Sequence, residues 1–436
     1  MAIRKDQATL SGTEKKQFVD AVLALKAEKR DNTNRYDQYV RAHLNTDHGQ
    51  DSAGGPLNDA HYGPAIFPWH RQFLIQFERD LQRVSGNQNL GLPYWVWSVD
   101  NSQTSSIWGS DFMGPNGDSS DDWKVKDGPF AYDKRNKDDP RKWVLNVRTS
   151  VEALYLRRQF GPDPGSPSSL PTPSDVTATR NAIPYDVDPW DDRSSGGFRN
   201  RAEGWIPYGM HNLIHNWVGG SMVPITSPND PVFFLHHCFV DKLWADWQVL
   251  HGIETPYLPS SGARLGHNLN DTMRPWTVRP VDVLANWGQG YTYDVALRGF
   301  VHIQERGNWP LRQNVFAGTR GQALRLEGFQ LNFDPPIPGV GMEYMAHIQE
   351  QGDTAWYKGG NFVGTTGQGR RLEGFAIRLT GPSANYYRVS YMAHIQEQGD
   401  TAWYQAGAFC GTRGQARRVE GILVRVDLLE APPISG

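Results

Sequence analysis

The stretch HRQFLIQFERDL, residues 70–81, has the apolar spacing of an amphipathic helix. Phe73, Phe77 and Leu81 recur every four residues, which places them on one face. A histidine at the first position of such a stretch usually caps the helix or faces solvent. His70 has a different role only if other histidines are placed to meet it, so the spacing of the remaining histidines decides how this region is interpreted.

A second group of histidines lies downstream, where MHNLIH is followed by FFLHHCFVDKLWADW. His211 and His215 stand at positions i and i+4 of a predicted helix, a spacing that lets two imidazoles share one metal ion. Asn212 occupies the position where the HExxH zinc-protease motif has Glu. His236 and His237 lie about 100° apart on a helix, so only one of them can face the same ion.

The upstream group consists of His43, His61 and His70. Gly63 and Pro64 interrupt the chain between the last two, so His61 is expected in a loop that folds back over the helix carrying His70. Two groups of three histidines with neither cysteines nor a carboxylate ligand set favour copper, because imidazole suits both Cu(I) and Cu(II), while zinc is the competing metal. Two copper ions whose open positions face each other can bind O₂ between them.

Several motifs resemble the tyrosinase family of type-3 copper enzymes, particularly its short actinobacterial members. They include RYDQYVRAH, FPWHRQFLIQFERDLQ, HNLIHNWVGGSM and SPNDPVFFLHHCFVDKLWADWQ, and the resemblance extends through nearly all of residues 1–298. It implies a mainly α catalytic domain with a four-helix-bundle dicopper core and long loops. It also implies three ligands for each copper, in chain order His43, His61, His70, His211, His215 and His237.

The resemblance further implies an activity, the O₂-driven ortho-hydroxylation of monophenols and the oxidation of o-diphenols to o-quinones. Glu203 and Asn212 would hold a water that removes the phenolic proton. The alternative for Glu203 is a structural ion pair. The resemblance places His236 in the pocket wall or behind the ligands, and His48 is a rival to His43 that aligns less well.

Other proteins with the same six ligands are alternatives to a tyrosinase. A catechol oxidase or an o-aminophenol oxidase would differ only in the shape of the pocket, and a haemocyanin-like oxygen carrier would block the substrate path. Asn216, which follows His215, does not decide between them. The segment before His61 has no cysteine for the thioether crosslink of fungal members, and Cys238 is expected to pack as a small apolar residue.

After residue 298 the chain contains three similar segments, residues 301–333, 346–379 and 393–426. They resemble the hydrophobic-Trp repeats of clostridial surface and secreted proteins. Short alternating strands separated by glycines predict an all-β domain over 299–436, with a pseudo-threefold form such as a β-prism or β-trefoil. The repeated His302, His347 and His394 are expected to serve local packing, not metal binding. The domain would be an active-site lid, a glycan- or wall-binding module, or an oligomerisation surface.

The composition is that of a globular protein, with 38% apolar residues and a net charge of −3. It therefore gives no reason to expect a nucleic-acid or membrane partner. The first residues lack the apolar segment of a signal peptide, so a cytoplasmic protein, or one exported with a partner, is expected. The actinobacterial resemblance suggests that this partner is a caddie-type copper chaperone.

Overall fold

The computed structural model of this 436-residue chain describes residues 2–30, 33–50, 55–161, 169–205, 210–251, 257, 259–334, 336–337 and 339–429. The chain divides into two compact units, Met1–Tyr293 and Asp294–Gly436. The boundary expected at residue 298 lies within the first strand of the second unit, Leu297–Ile303. The repeat becomes recognisable in the sequence only at Val301.

Within the described ranges, the first unit contains seven α-helices. In chain order they are α1 (Gly12–Ala27), α2 (Arg35–Leu44), α3 (Ile66–Ser85), α4 (Pro173–Arg180), α5 (Gly197–Glu203), α6 (Met210–Val218) and α7 (Val232–His251). None of these helices is long and apolar enough to cross a membrane. The prediction of a mainly helical first unit with long connections is confirmed.

The starts of two helices show where local sequence signals suffice and where they do not. Ser11 and Glu14, three residues apart, form a capping box at the start of α1. Helix α3 begins at Ile66, one turn before His70, and includes Pro68 in its first turn. A proline is tolerated there because its missing N–H would have no partner within the helix. His70 therefore lies inside the helix and does not open it.

The part of the first unit that the structure describes also contains six short strands, β1 (Ala2–Arg4), β2 (Lys29–Arg30), β3 (Thr33–Asn34), β4 (Asp47–Gln50), β5 (Pro56–Asn58) and β6 (Tyr291–Tyr293). Strands β1 and β6 pair in parallel and so join the two ends of the unit. Strands β2 and β3, and likewise β4 and β5, form antiparallel pairs beside α2. The fold of this unit is thus determined mainly by helix packing.

The centre of the first unit is the contact between α3 and α7. Phe77 stacks on Phe234 with ring centroids 3.5 Å apart, and Phe73 is parallel to the same ring at 5.8 Å. Leu74 and Leu81 are fully buried. The predicted apolar face of residues 70–81 therefore packs against the helix that carries His237.

A buried charged network ties α3 and α7 to the paired strands β1 and β6. Asp241 accepts hydrogen bonds from Arg71 at 2.6 Å, from Arg4 at 3.1 Å and from the Tyr291 hydroxyl at 2.6 Å. Arg4 also pairs with Glu78 at 3.0 Å. Because every charge in this network has an opposite partner, it can lie in the interior next to the histidines.

The second unit is built from strands. They are β7 (Leu297–Ile303), β8 (Gly307–Arg312), β9 (Ala317–Gly318), β10 (Leu326–Phe333), β11 (Gly341–Ile348), β12 (Gly352–Asp353), β13 (Tyr357–Lys358), β14 (Val363–Gly364), β15 (Leu372–Thr380), β16 (Tyr387–Ile395), β17 (Gly399–Asp400), β18 (Tyr404–Gln405), β19 (Cys410–Gly411) and β20 (Val419–Leu428). The prediction of an all-β region is confirmed.

These strands form three sheets, one for each repeat. The long antiparallel pairs are β7 with β10, β11 with β15, and β16 with β20. Each sheet also receives a two-residue strand from another repeat: β14 pairs with β10, β19 with β15, and β9 with β20. The exchange is cyclic, since the second repeat completes the first, the third completes the second, and the first completes the third.

Paired glycines make this strand exchange possible. Gly364 has a φ of +128°, and a Cβ added there would lie 2.3 Å from the Cα of Gly328. A Cβ added to Gly328 would lie 2.2 Å from the ring of Phe362, which the neighbouring repeat supplies. The Glu-Gly step in every repeat therefore makes room for the strand and the aromatic ring of the next repeat.

Two junctions between repeats carry a His–Asp–Arg cluster. His347 contacts Asp353 at 2.5 Å, and Arg413 of the third repeat binds the same carboxylate at 2.8 Å. The equivalent residues at the junction of the third and first repeats are His394, Asp400 and Arg320. At the remaining junction His302 contacts Asn308 at 2.7 Å, and Thr366 stands where the other repeats have arginine. The repeated histidines thus make local contacts, as expected.

Candidate metal centre

The first histidine group joins two helices and the loop between them. His43 lies near the end of α2, His70 in α3, and His61 in the loop that precedes α3. One ligand nitrogen from each residue lies within 4.8 Å of the others. The His61 ring centroid is 5.0 Å from those of both His43 and His70. The predicted fold-back of the His61 loop is observed.

Hydrogen bonds at Nδ1 orient these three rings. His43 Nδ1 is 2.6 Å from the Ile225 carbonyl, and His70 Nδ1 is 2.8 Å from the Ile66 carbonyl. Because a carbonyl can only accept, Nδ1 carries the proton and Nε2 keeps its lone pair. The buried Nε2 atoms of His43 and His70 have no hydrogen-bond partner within the described ranges. They are therefore suited to bind a metal ion.

The second group lies on α6 and α7. His237 Nε2 is 3.2 Å from His211 Nε2 and 3.3 Å from His215 Nε2, so three ring nitrogens converge. His215 Nδ1 is 2.6 Å from the Met222 carbonyl, which again leaves Nε2 with the lone pair. His211 Nδ1 is 2.9 Å from the side-chain oxygen of Asn212. These are the three histidines that the resemblance implies for the second copper.

His236 also belongs to this group, with a ring nitrogen within 4.8 Å of the other ligand atoms. Its ring lies parallel to that of His211, with centroids 5.3 Å apart. The Nε2 atoms of His211 and His215 lie 3.2 and 3.3 Å from His237 Nε2, whereas neither ring nitrogen of His236 has a hydrogen-bond partner within the described ranges. His237 is therefore the member of the adjacent pair whose Nε2 converges with those of His211 and His215.

The two groups are adjacent. The His70 ring stacks on the His237 ring with centroids 4.1 Å apart, and the His61 and His211 centroids are 5.9 Å apart. Burial lowers the pKa of His43 to about 3 and that of His215 to about 4. Burial likewise lowers the pKa values of the other four predicted ligands. At neutral pH the imidazoles are uncharged, which is the form that binds metals.

Both groups open into one cavity of about 680 Å³. Its wall combines apolar side chains, including Val223 and Ile225, with the polar Asn216. Trp205 and Tyr62 lie against each other at this cavity, with ring centroids 5.4 Å apart. The volume and the mixed lining suit an aromatic molecule with one or two polar groups.

Glu203 and Asn212 line the same cavity. Glu203 accepts a hydrogen bond from the Tyr62 backbone N–H at 2.7 Å and pairs with Arg199 at 3.0 Å. The ion pair considered as an alternative for Glu203 is therefore present, although the residue also faces the cavity. Burial raises the pKa of Glu203, and Arg199 opposes this effect. Asn212 uses its side-chain oxygen toward His211, so its NH₂ group remains to orient a small molecule.

Comparison with known proteins identifies the family. The family model for the common central domain of tyrosinase matches residues 33–250. A tyrosinase of Streptomyces antibioticus is 43% identical over 300 residues, which make up 68% of this chain and 100% of that protein. The chain belongs to the tyrosinase family. It is accordingly an enzyme of the copper oxidoreductase class.

Two further proteins and a second family model are similar to parts of the chain. A grixazone synthase of Streptomyces griseus is 37% identical over 326 residues, covering 67% of this chain and 99% of that protein. The solved structure of a copper-bound Aspergillus oryzae tyrosinase variant with L-tyrosine matches 67% of this chain and 92% of that chain, at 16% identity and a TM-score of 0.44. The model for clostridial hydrophobic-W repeats matches residues 302–335, 347–381 and 394–427, which confirms the predicted repeats.

Several histidines and cysteines of this tyrosinase-family chain lie away from the two groups. His48, the rival to His43, is partly exposed and pairs with Asp59 at 2.8 Å. Cys238 is buried, with its sulfur 3.8 Å from the Leu92 carbonyl, as expected for a packed residue. Among the described residues, the groups that could hold a metal do not include the repeat histidines.

Two residues at this tyrosinase-family site are missing from the sequence-based predictions. Asn58 accepts hydrogen bonds from the His61 backbone N–H at 2.9 Å and from the His61 ring at 3.1 Å. His267 is buried behind the same loop, 2.9 Å from the Asn58 carbonyl. The Asn-x-x-His spacing is a signal for the first contact, since asparagine often bonds to nearby backbone groups. No sequence signal links His267 to a loop more than 200 residues away.

Proposed function

We propose that the first unit is a dicopper tyrosinase that hydroxylates monophenols at the ortho position and oxidises o-diphenols to o-quinones, with O₂ as the oxidant. The observation that carries this proposal is the convergence of two groups of neutral imidazoles on one cavity of about 680 Å³. Family membership supports copper as the metal, and the all-imidazole donor set agrees with it.

The proposed ligands of the first copper are His43, His61 and His70, and those of the second are His211, His215 and His237. Carbonyl groups hold Nδ1 of His43, His70 and His215, so that each ring presents a fixed Nε2 lone pair. When bound, the two copper ions would supply the redox chemistry with O₂. The protein's contribution is to keep the rings neutral, oriented and shielded from bulk water.

Glu203 and Asn212 are proposed to handle the phenolic proton. A monophenol must lose this proton before its oxygen can bind a metal. The Glu203 carboxylate and the Asn212 amide both face the cavity, so they can hold one water molecule between substrate and carboxylate. Because burial raises the pKa of Glu203, its carboxylate is a stronger base than an exposed one.

Oxygen uptake by the copper-loaded full-length chain tests this proposal. We expect uptake with both L-tyrosine and L-DOPA. Uptake with L-DOPA alone would instead assign the chain as a catechol oxidase or an o-aminophenol oxidase. Reversible O₂ binding without turnover of either phenol would indicate an oxygen carrier. A chain that binds no copper would contradict the proposal altogether.

For the second unit we propose a β-prism that contacts a glycan. Three sheets that exchange strands in a cycle support the prism form over the β-trefoil. Trp356, Tyr357 and Trp403 are 36%, 38% and 43% exposed, whereas Trp309 packs partly against the core. Exposed aromatic rings on a folded surface are typical of binding sites. The chaperone partner stays a prediction from the resemblance.

Sedimentation with purified bacterial cell walls tests the glycan contact. We expect the full-length chain to bind, and the Trp356→Ala/Trp403→Ala variant to lose binding at least tenfold. The exposed Val151→Ala substitution in the first unit is the matched control and should bind like the unaltered chain. Equal binding by all three chains, or by none, would contradict the proposal.

A further inference from the structure

The imidazole of His267 lies between the two chain segments that carry His61 and His70. It is buried, and its Nε2 is 2.9 Å from the carbonyl oxygen of Asn58. On the other side of the ring, Nδ1 accepts the backbone N–H of Ala65 at 3.4 Å. A single ring thus bonds to the loop before His61 and to the residue that precedes α3.

Each of these two bonds leads directly to a proposed copper ligand. The Asn58 side-chain oxygen accepts three N–H groups, from the Ala60 backbone at 2.8 Å, the His61 backbone at 2.9 Å and the His61 ring at 3.1 Å. Any movement of Asn58 therefore turns the His61 ring. Ala65 is the cap of α3, and His70 is bonded to the first residue of that helix.

Arg264 binds the same loop from a half-buried position. Its guanidinium binds the carbonyls of Pro56, of Asn58 at 3.1 Å and of His61 at 3.4 Å. Gly63 brings the loop down onto the ring, because a Cβ added there would lie 2.5 Å from His267 Nδ1. The loop is therefore held at its start, at its ligand and at its end.

The hydrogen bonds also fix the protonation of His267. The shortest contact of the ring, 2.9 Å from Nε2 to the Asn58 carbonyl, requires a proton on Nε2 because a carbonyl can only accept. Nδ1 is then free to accept the Ala65 N–H at 3.4 Å, and Arg264, also 3.4 Å from Nε2, contributes its charge and no hydrogen bond to the ring. Burial and the adjacent Arg264 charge lower the pKa of His267 to about 3, which keeps the ring in this neutral form. The ring can therefore make both bonds at once at neutral pH.

We propose that His267 is a positioning residue for the first copper, which fixes the separation of His61 and His70 without binding the metal itself. This inference rests on the proposed copper site. His267 accordingly sets how long the first copper is retained and has no effect on the second.

Copper release measures this effect. Copper(II) alone is loaded into two background variants. His215→Ala leaves the first copper site intact, and His70→Ala leaves the second copper site intact. Release to a chelator is then followed with and without His267→Ala. We expect release to become at least tenfold faster in the His215→Ala background and to be unchanged in the His70→Ala background. A purely structural defect would accelerate both.

Controls separate the possible failures. His251→Ala removes another histidine that contacts a backbone carbonyl, that of Arg180 at 2.8 Å, and should leave both release rates unchanged. His267→Gln retains a donor and an acceptor and should restore at least part of the retention. If the unaltered chain does not bind two copper ions, the proposed function fails. If it binds two, and His267→Ala alters neither rate or both alike, only this inference is overturned.

Should His267→Ala fail to fold, as judged by circular dichroism, Arg264→Ala is measured in the same two backgrounds. It removes bonds to the same loop from a less buried position. Faster release from the first site alone would support the inference, and unchanged release from both would overturn it.

Discussion

At the residue scale, each proposed copper site should depend on every one of its imidazoles. His70→Ala leaves two ligands at the first site, and His215→Ala leaves two at the second, so each variant should hold one copper per chain instead of two. O₂ uptake should vanish in both, because the reaction needs the pair. Atomic absorption after gel filtration measures the copper content.

The histidines of the repeats provide the control for this experiment. His394 contacts Asp400 at 2.6 Å and lies in the second unit, so His394→Ala should keep both copper ions. Two coppers retained by His70→Ala or His215→Ala would show that the ligand assignment is wrong.

Glu203 should set the pH dependence of monophenol hydroxylation. Its pKa is raised by burial, so the carboxylate takes up a proton and stops acting as a base at a higher pH than an exposed glutamate would. The rate with L-tyrosine should therefore fall as the pH drops through that raised value. Glu203→Gln should lower the rate about 100-fold at neutral pH and abolish this limb of the profile.

Copper content and a surface variant check the Glu203 prediction. The Glu203→Gln chain should still bind two copper ions, and the exposed Glu397→Gln should behave like the unaltered chain. An unchanged pH profile in Glu203→Gln would exclude the carboxylate from the proton transfer.

Residue types and their spacing predicted the histidine groups. In the second group the HxxxH and HH patterns each lie within a single helix, so local spacing is enough to recognise them. They did not predict Asn58 or His267. His267 meets the loop only after α7 and the segment that follows it have folded back. Glu203 illustrates the same limit of local sequence signals. The sequence suggested an ion pair for Glu203, but it did not establish that the carboxylate would pair with Arg199 and also face the cavity.

At the element scale, Asp241 joins α7 to α3 and to both strands of the β1–β6 pair. Asp241→Asn would leave Arg71 buried without its counter-charge and Arg4 with Glu78 alone, so we expect a loss of roughly 3–5 kcal/mol in unfolding free energy. Denaturant unfolding of the copper-free chain measures the loss. The control is Asp20→Asn, which removes an exposed i,i+4 pair with Lys16 and should cost less than about 1 kcal/mol.

The same carboxylate should make stability depend on pH. Burial alone would raise the pKa of Asp241, but Arg71 and Arg4 outweigh it and lower the value. A lowered pKa in the folded state gives stability that is present above the unfolded value of about 3.9 and is lost as the pH falls through the folded value. Melting temperatures between pH 2 and pH 7 should show this acid loss, and it should be smaller in Asp241→Asn.

Apolar periodicity predicted the buried face of α3 well, because this spacing is a local property of the sequence. The start of α3 was placed one turn too late, since the proline and the aromatic residues before His70 hide the first turn. The donated two-residue strands β9, β14 and β19 could not be predicted, because their pairing depends on another repeat and not on their own sequence.

At the scale of the whole molecule, the second unit should fold only with all three repeats. Deleting residues 393–436 removes the partner of β9 and the strand that completes β15. We expect the remaining repeats to lose their protection against proteases, whereas linear repeat arrays tolerate such a loss. The first unit should still bind two copper ions, which serves as the internal control. Protease-resistant first and second repeats would contradict the cyclic arrangement.

Two substitutions should stabilise the junction between the first and second repeats. Asn308→Asp and Thr366→Arg together recreate the ion pair that joins the other repeats. These positions are exposed in the equivalent pairs, so the gain should be small, about 0.5 kcal/mol. A double-mutant cycle by thermal unfolding measures it, and additive effects of the two single changes would show that the new side chains do not interact.

The cyclic strand exchange also bears on how the gene can change. The twelve residues AHIQEQGDTAWY occur identically at 346–357 and at 393–404, and such duplications are substrates for unequal crossing-over. If the geometry of each junction is kept, a recombinant with two or four copies would leave one sheet without a donated strand or one donated strand without a sheet. We therefore expect selection for a closed arrangement to favour three copies, and to tolerate point differences within a copy such as Asn308 and Thr366.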